Sequence, residues 1–125
     1  MAQKKTIFVV DDSTITRLFI IDAIKDIENI EIQQYMNGEQ LLNRLNELIP
    51  DLIILDSVMP IMDGLTALEK INEKKIKVPI IICTADIQST TKNRALSLGA
   101  TEFINKPIQK PLMFEAVSKI LTQKT

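Results

Sequence analysis

The chain has no histidine and a single cysteine among its 125 residues, and these two shortages remove whole classes of chemistry. Without imidazole there is no Ser/His or Cys/His nucleophile pair, no histidine general base, no histidine metal ligand and no place for a phosphohistidine. One thiol, Cys83, cannot close an internal disulfide or build a cysteine-based zinc site. That usage fits a reducing compartment. No apolar run approaches the roughly 18 residues of a membrane span. The start, Met1-Ala2-Gln3-Lys4-Lys5-Thr6, is a short polar lead with no apolar h-region behind it. Neither export nor membrane insertion is expected, and the cytoplasm is the expected address. A net charge of −1 sets up no global field for nucleic acid or an anionic membrane. Neither G-x-G-x-x-G nor G-x-x-x-x-G-K-[ST] occurs, so dinucleotide and P-loop readings lose their support. Chemistry is left to carboxylates, hydroxyls and lysines.

What is present is a regular alternation of strand-like and helix-like segments. Strands are predicted at Thr6–Val10, Ile30–Gln34, Leu52–Leu55, Pro79–Cys83 and Glu102–Asn105. Four of these contain contiguous apolar runs, the pattern of a parallel sheet covered on both faces. Ile30-Glu31-Ile32-Gln33-Gln34 alternates instead and is placed at an edge. Helices fill the gaps. Ser13 or Thr14 caps the first, whose apolar stripe is Ile20, Ala23, Ile24 and Ile27. Asn37-Gly38 opens the second, with Leu41, Leu42, Leu45 and Leu48. Asp63-Gly64 opens the third, with Leu65, Leu68 and Ile71, and the glycines Gly38 and Gly64 are assigned to turns. The fourth, Ile87 to Leu98, is polar and stops at Gly99. The fifth follows Pro111 and carries Met113, Ala116, Val117 and Ile120, ending close to Thr125.

Five βα units make an α/β domain with a doubly wound five-stranded parallel sheet. The strand order 2-1-3-4-5 is taken over from the known flavodoxin-like arrangement rather than derived from spacing. Residues 1–125 are read as one domain, without repeat, low-complexity segment or linker, and with no output domain.

Four chemically distinct features fall at four strand ends: Asp11-Asp12, Asp56, Thr84 and Lys106. Order 2-1-3-4-5 brings Asp11, Asp12 and Asp56 to one switch point, where ligands bind in such sheets. Three carboxylates, a hydroxyl and an ammonium at one sheet edge suit a divalent cation and a phosphoryl group. Each residue also has a structural reading. Asp11 and Asp12 could cap the first helix, Asp56 could pair with Lys106, Thr84 is a good strand-end residue, and Lys106 could be a solvated loop lysine. Met59, Met62 and Met113 read as packing, Cys83 as an inert core thiol, and Lys4-Lys5 and Lys74-Lys75 as solvated ends.

Val9-Val10-Asp11-Asp12-Ser13, Asp56-Ser57-Val58-Met59-Pro60-Ile61-Met62-Asp63-Gly64, Cys83-Thr84-Ala85 and Lys106-Pro107 together resemble a response-regulator receiver domain over essentially the whole chain. The resemblance implies that Asp56 is the phosphoacceptor, that Asp12 binds Mg²⁺ directly and Asp11 largely through water, and that the Val58 carbonyl is a further ligand. It implies that Thr84 hydrogen-bonds the phosphoryl group, that Lys106 pairs with it, and that Phe103 is the switch aromatic. It also implies a cis Lys106–Pro107 bond. The implied partners are a sensor histidine kinase or phosphotransfer protein as donor, a phosphatase, and a protein target on the face of the fourth helix, fifth strand and fifth helix. The function expected is two-component signalling by a switch that catalyses only its own phosphorylation and dephosphorylation. Val58 and Asp86 sit where the family tunes acyl-phosphate hydrolysis. Apolar Val58 cannot orient a water, whereas Asp86 can. Two alternatives are a pseudo-receiver that is never phosphorylated and an aspartyl-nucleophile phosphohydrolase. The second wants D-x-D, and this chain has Val58 at the second acid.

Overall fold

The computed structural model describes residues 4–86 and 88–123. Ten elements alternate without interruption: β1 (Lys5–Val10), α1 (Thr14–Ile24), β2 (Ile30–Tyr35), α2 (Gly38–Leu45), β3 (Leu52–Asp56), α3 (Gly64–Glu73), β4 (Ile80–Thr84), α4 (Ser89–Ser97), β5 (Glu102–Asn105) and α5 (Lys110–Gln123). The polar lead Met1-Ala2-Gln3, the expected helix start at Ile87 and the last residue, Thr125, lie outside the described residues.

All neighbouring strands are parallel, in the order β2-β1-β3-β4-β5. The alternating strand β2 is at an edge, as its pattern predicts. Period-two geometry divides the apolar residues between two cores. From β1, Ile7 and Val9 join Ile20, Ile24, Ile54, Met113 and Val117 beneath α1 and α5. Phe8 and Val10 join Leu41, Leu55, Leu68, Ile71 and Ala95 beneath α2, α3 and α4. Each of these large side chains is worth about 1.5–3 kcal/mol of burial, which is why β3 and β4, buried at every position, form the rigid floor of the fold.

Helix starts follow their caps. The Thr16 N–H donates to Ser13 Oγ (3.2 Å), Gln40 N–H to Asn37 Oδ1 (2.9 Å) and Thr66 N–H to Asp63 Oδ1 (2.8 Å). Ser13 rather than Thr14 is therefore the first cap. Helix α1 ends at Ile24, so Ile27 packs on the core from the following loop. Pro111 lies within the first turn of α5 rather than ahead of it, where its missing N–H costs nothing. Gly99 stops α4 at φ +104°, and Ala100 N–H reaches back to the Ala95 carbonyl at 3.0 Å, a Schellman closure. The turn role assigned to Gly38 and Gly64 is only half of their purpose. Neither has positive φ. A Cβ on Gly64 would fall 2.0 Å from the Asp56 carbonyl oxygen, so the residue is demanded by close packing of α3 on the end of β3. No helix among the described residues is long and apolar enough to cross a membrane.

Candidate functional site

Register assembles the site. Val10 pairs with Leu55, so Asp11 and Asp56, each one step further, finish side by side. Asp56 pairs with Cys83 and Thr84 with Asn105, which steps Thr84 and Lys106 along the same edge. Carboxylate oxygens of Asp11, Asp12 and Asp56 lie within 4.8 Å of one another, the first and last buried and Asp12 exposed. Lys106 Nζ lies 3.1 Å from Asp11 Oδ2 and 3.0 Å from Asp56 Oδ1.

The electrostatics of this group are lopsided. Burial pushes the Asp56 carboxyl above its ordinary pKa and the Asp11 charge adds to it. The Lys106 hydrogen bond and the Val58 N–H pull the other way without cancelling the rise. Burial also weighs against the Lys106 charge, but its bonds to Asp56 and Asp11 outweigh that and hold its pKa above the ordinary lysine value. The lysine is thus held charged while the aspartate is pressed toward its neutral acid. Burial is the first cause at Asp56, and crowding of carboxylates around one ammonium adds to it while favouring the charged lysine. Three carboxylates whose oxygens lie this close offer hard oxygen donors of the kind that suit Mg²⁺ or Ca²⁺.

The capping alternative for the acidic pair holds only in part. Asp11 Oδ1 accepts the Ser13 N–H at 2.9 Å, but Ser13 itself is the cap, and Asp12 makes no hydrogen bond or ion pair among the described residues. The ion-pair alternative for Asp56 is real in geometry, yet it leaves a surplus of negative charge.

Thr84 is buried, and its hydroxyl makes no hydrogen bond to Lys106. Thr84 Oγ1 accepts from the Ser57 hydroxyl at 2.6 Å and from Asp86 N–H at 3.0 Å. Val58 follows in the β3–α3 loop with an exposed side chain. Phe103 is half-buried on β5, packed against the α2–α3–α4 core. Cys83 is enclosed, and burial pushes its thiol up to about 12, so no thiolate is available. The Lys106–Pro107 bond is cis. Asp86 spends its carboxylate on α4, accepting Gln88 N–H (2.9 Å) and the Thr91 hydroxyl (2.6 Å). The Thr91 bond and then the Gln88 bond lower its pKa. These bonds tie the loop to the first turn of α4, whose N-cap residue, Gln88, makes no side-chain cap bond.

Two residues escape sequence reasoning. Ser57 lies inside a quoted motif but shows its partner only across the sheet. Arg17 lies buried, donating to the Asp11 carbonyl (2.6 Å), Gln34 Oε1 (3.0 Å) and Thr14 Oγ1 (3.2 Å). It thereby ties the β1–α1 turn to the sheet edge. Its signal was available: Arg17 is three residues before Ile20, on the helix's apolar face.

The family model of the response regulator receiver domain matches residues 7–118. The chemotaxis protein CheY of Halobacterium salinarum is 36% identical over 119 residues, 94% of this chain and 98% of that protein. A protein-glutamate methylesterase/protein-glutamine glutaminase of Clostridium acetobutylicum is 41% identical over 112 residues, 87% of this chain but 32% of that enzyme. The chain thus spans about a third of the length of that relative. The solved receiver domain of a Francisella response regulator superposes with a TM-score of 0.90 at 23% identity, covering 98% of this chain and 100% of that one. That likeness speaks for the fold, and the match over 7–118 for the family. The chain belongs to the response regulator receiver family of two-component signalling.

Proposed function

We propose that this chain is a phosphorylation switch whose phosphoacceptor is Asp56. In this reading Asp11, Asp12, Asp56 and the Val58 carbonyl would hold Mg²⁺. When bound, the cation removes the repulsion between an anionic nucleophile and an anionic phosphoryl group. A carboxylate oxygen of Asp56 forms the new P–O bond as the P–N bond of a donor phosphohistidine breaks, and the imidazole leaves with the bonding pair. The donor is a histidine kinase or phosphotransfer protein, since the chain has no histidine. Lys106 neutralises the incoming group and Thr84 donates to it. Phe103 follows Thr84, and the face of α4, β5 and α5 changes for a protein target. Inverting a 1:99 population requires about 5.5 kcal/mol of differential binding, and phosphoryl contacts to Lys106 and Thr84 supply part of it. The same reading makes the protein a cytoplasmic signalling component without sustained turnover of small phosphate esters, and a phosphatase resets it.

The observation that carries the reading is the shared Lys106 ammonium, 3.0 Å from Asp56 and 3.1 Å from Asp11, beside an Asp12 that makes no hydrogen bond or ion pair among the described residues. A closed structural ion pair has no use for the third acid. Incubation with acetyl phosphate and Mg²⁺, read by intact mass, tests it. Wild type gains one phosphoryl mass and Asp56→Asn gains none. Equal labelling of the mutant defeats the assignment.

A further inference from the structure

Thr84 does not rest free at its strand end. Its hydroxyl lies 2.6 Å from Ser57 Oγ, and both side chains are buried, at 1% and 5% exposure. Ser57 follows the last residue of β3 and Thr84 closes β4, 27 residues apart in sequence, so the bond buckles the ends of two adjacent strands together. Asp86 N–H donates to the same oxygen at 3.0 Å, which fills both acceptor positions of Thr84. The Ser57 hydroxyl has no other hydrogen-bond partner among the described residues. Thr84 in turn makes no hydrogen bond to Asp56 or Lys106.

We propose that Ser57 is a positioning residue that holds the Thr84 hydroxyl in its resting orientation and so sets the threshold for phosphoryl binding at Asp56. The proposal rests on the reading of Asp56 as phosphoacceptor. For Thr84 to donate to a phosphoryl oxygen at that site, its side chain turns away from Ser57. The turn breaks a short buried bond, and it takes from the Ser57 hydroxyl its one hydrogen-bond partner among the described residues. Both effects weigh against the phosphoryl-bound form, because an unmade buried hydrogen bond costs more than the bond itself returns. An alanine at 57 removes both at once. The resting protein loses its latch, and the bound protein has no orphaned hydroxyl.

Beryllofluoride with Mg²⁺ is the probe, since it mimics a phosphoryl group on a carboxylate without turnover. Calorimetric titration compares wild type, Ser57→Ala, Thr84→Ala, Thr84→Ser and the two doubles built on Ser57→Ala. Ser57→Ala is expected to bind about three- to tenfold tighter, the weight of one hydrogen bond. The gain persists in the Thr84→Ser background, where the hydroxyl remains, and vanishes in Thr84→Ala. A purely packing role for Ser57 has no reason to depend on that hydroxyl. Unchanged or weaker binding by Ser57→Ala overturns the latch, as does an equal gain in the Thr84→Ala background. Failure of wild type to bind beryllofluoride with Mg²⁺ removes the phosphoacceptor reading itself, and the latch with it.

Discussion

Lys106 and Asp11 stand 95 residues apart in the chain, yet Nζ of one meets Oδ2 of the other at 3.1 Å, and the same ammonium also serves Asp56. One cation for three acids leaves the site charged against itself, and the first prediction follows. A carboxyl that binds its proton more tightly in the fold than in the unfolded chain stabilises the protein below its ordinary value near 3.8. That support is lost as pH rises through the folded value. Asp56, whose pKa is raised by burial first, is in that class, so at neutral pH its ionised form is a burden. Asp56→Asn should raise stability at pH 7 by about 0.5–2 kcal/mol, the usual return for relieving a functional site. The advantage should shrink as pH falls through the folded value of Asp56. Thermal melts from pH 3 to 8 check it, and a mutant less stable than wild type at pH 7 refutes it.

Magnesium should bind among the three carboxylates and stabilise the fold. A ligand at a hundred times its dissociation constant adds about 2.7 kcal/mol to the folded state. Wild-type melting temperature should therefore climb with Mg²⁺ and level off, while Asp56→Asn shows a much smaller rise. Equal rises in both proteins would place the cation elsewhere.

Removing the lysine separates its two duties. Breaking a buried ion pair from one side costs several kcal/mol. The Lys106 side chain is 23% exposed, so solvent reduces the loss to about 1–3 kcal/mol for Lys106→Met. Its pKa is raised because the bonds to Asp56 and Asp11 outweigh burial. The stability it lends is therefore complete below 10.5 and lost as pH rises through the folded value. Wild type should weaken steeply in that alkaline range, and the mutant should not. With the competing ammonium gone, Mg²⁺ should bind the mutant more tightly by calorimetry even as phosphoryl labelling drops.

Much of this was legible in the sequence, and the exceptions share a cause. Contiguous apolar runs announced β1, β3 and β4, the alternation of Ile30 to Gln34 announced an edge, and Asn37 and Asp63 announced their helices. The four strand-end features came together because parallel register forces them to. What stayed hidden depends on contacts across strands or between layers. Ser57 finds Thr84 only once β3 lies beside β4. Gly64 reads as a turn glycine until α3 is laid on the Asp56 carbonyl. Asp86 sits where a carboxylate can orient a water, and its bonds to Gln88 and Thr91 show only once α4 is in place. Arg17 stands out only in the fold, where the apolar face of α1 carries it inward to the Asp11 carbonyl.

Gly64 lets the hidden part be tested. A methyl group there has no room, because the atom it meets, at 2.0 Å, is backbone of the phosphoacceptor candidate and cannot swing aside. Gly64→Ala should cost about 3 kcal/mol, the upper range for overpacking, despite alanine's better helix propensity. Denaturant midpoints measure the loss. The same displacement moves Asp56, so acetyl phosphate labelling should slow even under conditions where the mutant is fully folded. Normal labelling of a destabilised mutant would show that the shift is absorbed by α3 instead.

Ile61 carries the clearest backbone conflict near the site. Its φ is +69°, a left-handed conformation that crowds a β-branched side chain, and that side chain is 75% exposed. Burial therefore returns little for the strain. Asparagine tolerates this conformation far better. Ile61→Asn should stabilise the protein by about 0.5–1 kcal/mol, part of the left-handed penalty of roughly 1–2 kcal/mol. Acetyl phosphate labelling should be unchanged, because the small donor needs no rim of apolar side chains. Ile61 is 75% exposed and open to contact by a larger donor, so transfer from a phosphohistidine protein is the measurement to set beside it. Slower transfer from the protein donor, with unchanged labelling by the small molecule, would show that the strained residue is kept for contact. Equal rates with both donors would leave the strain without a functional return.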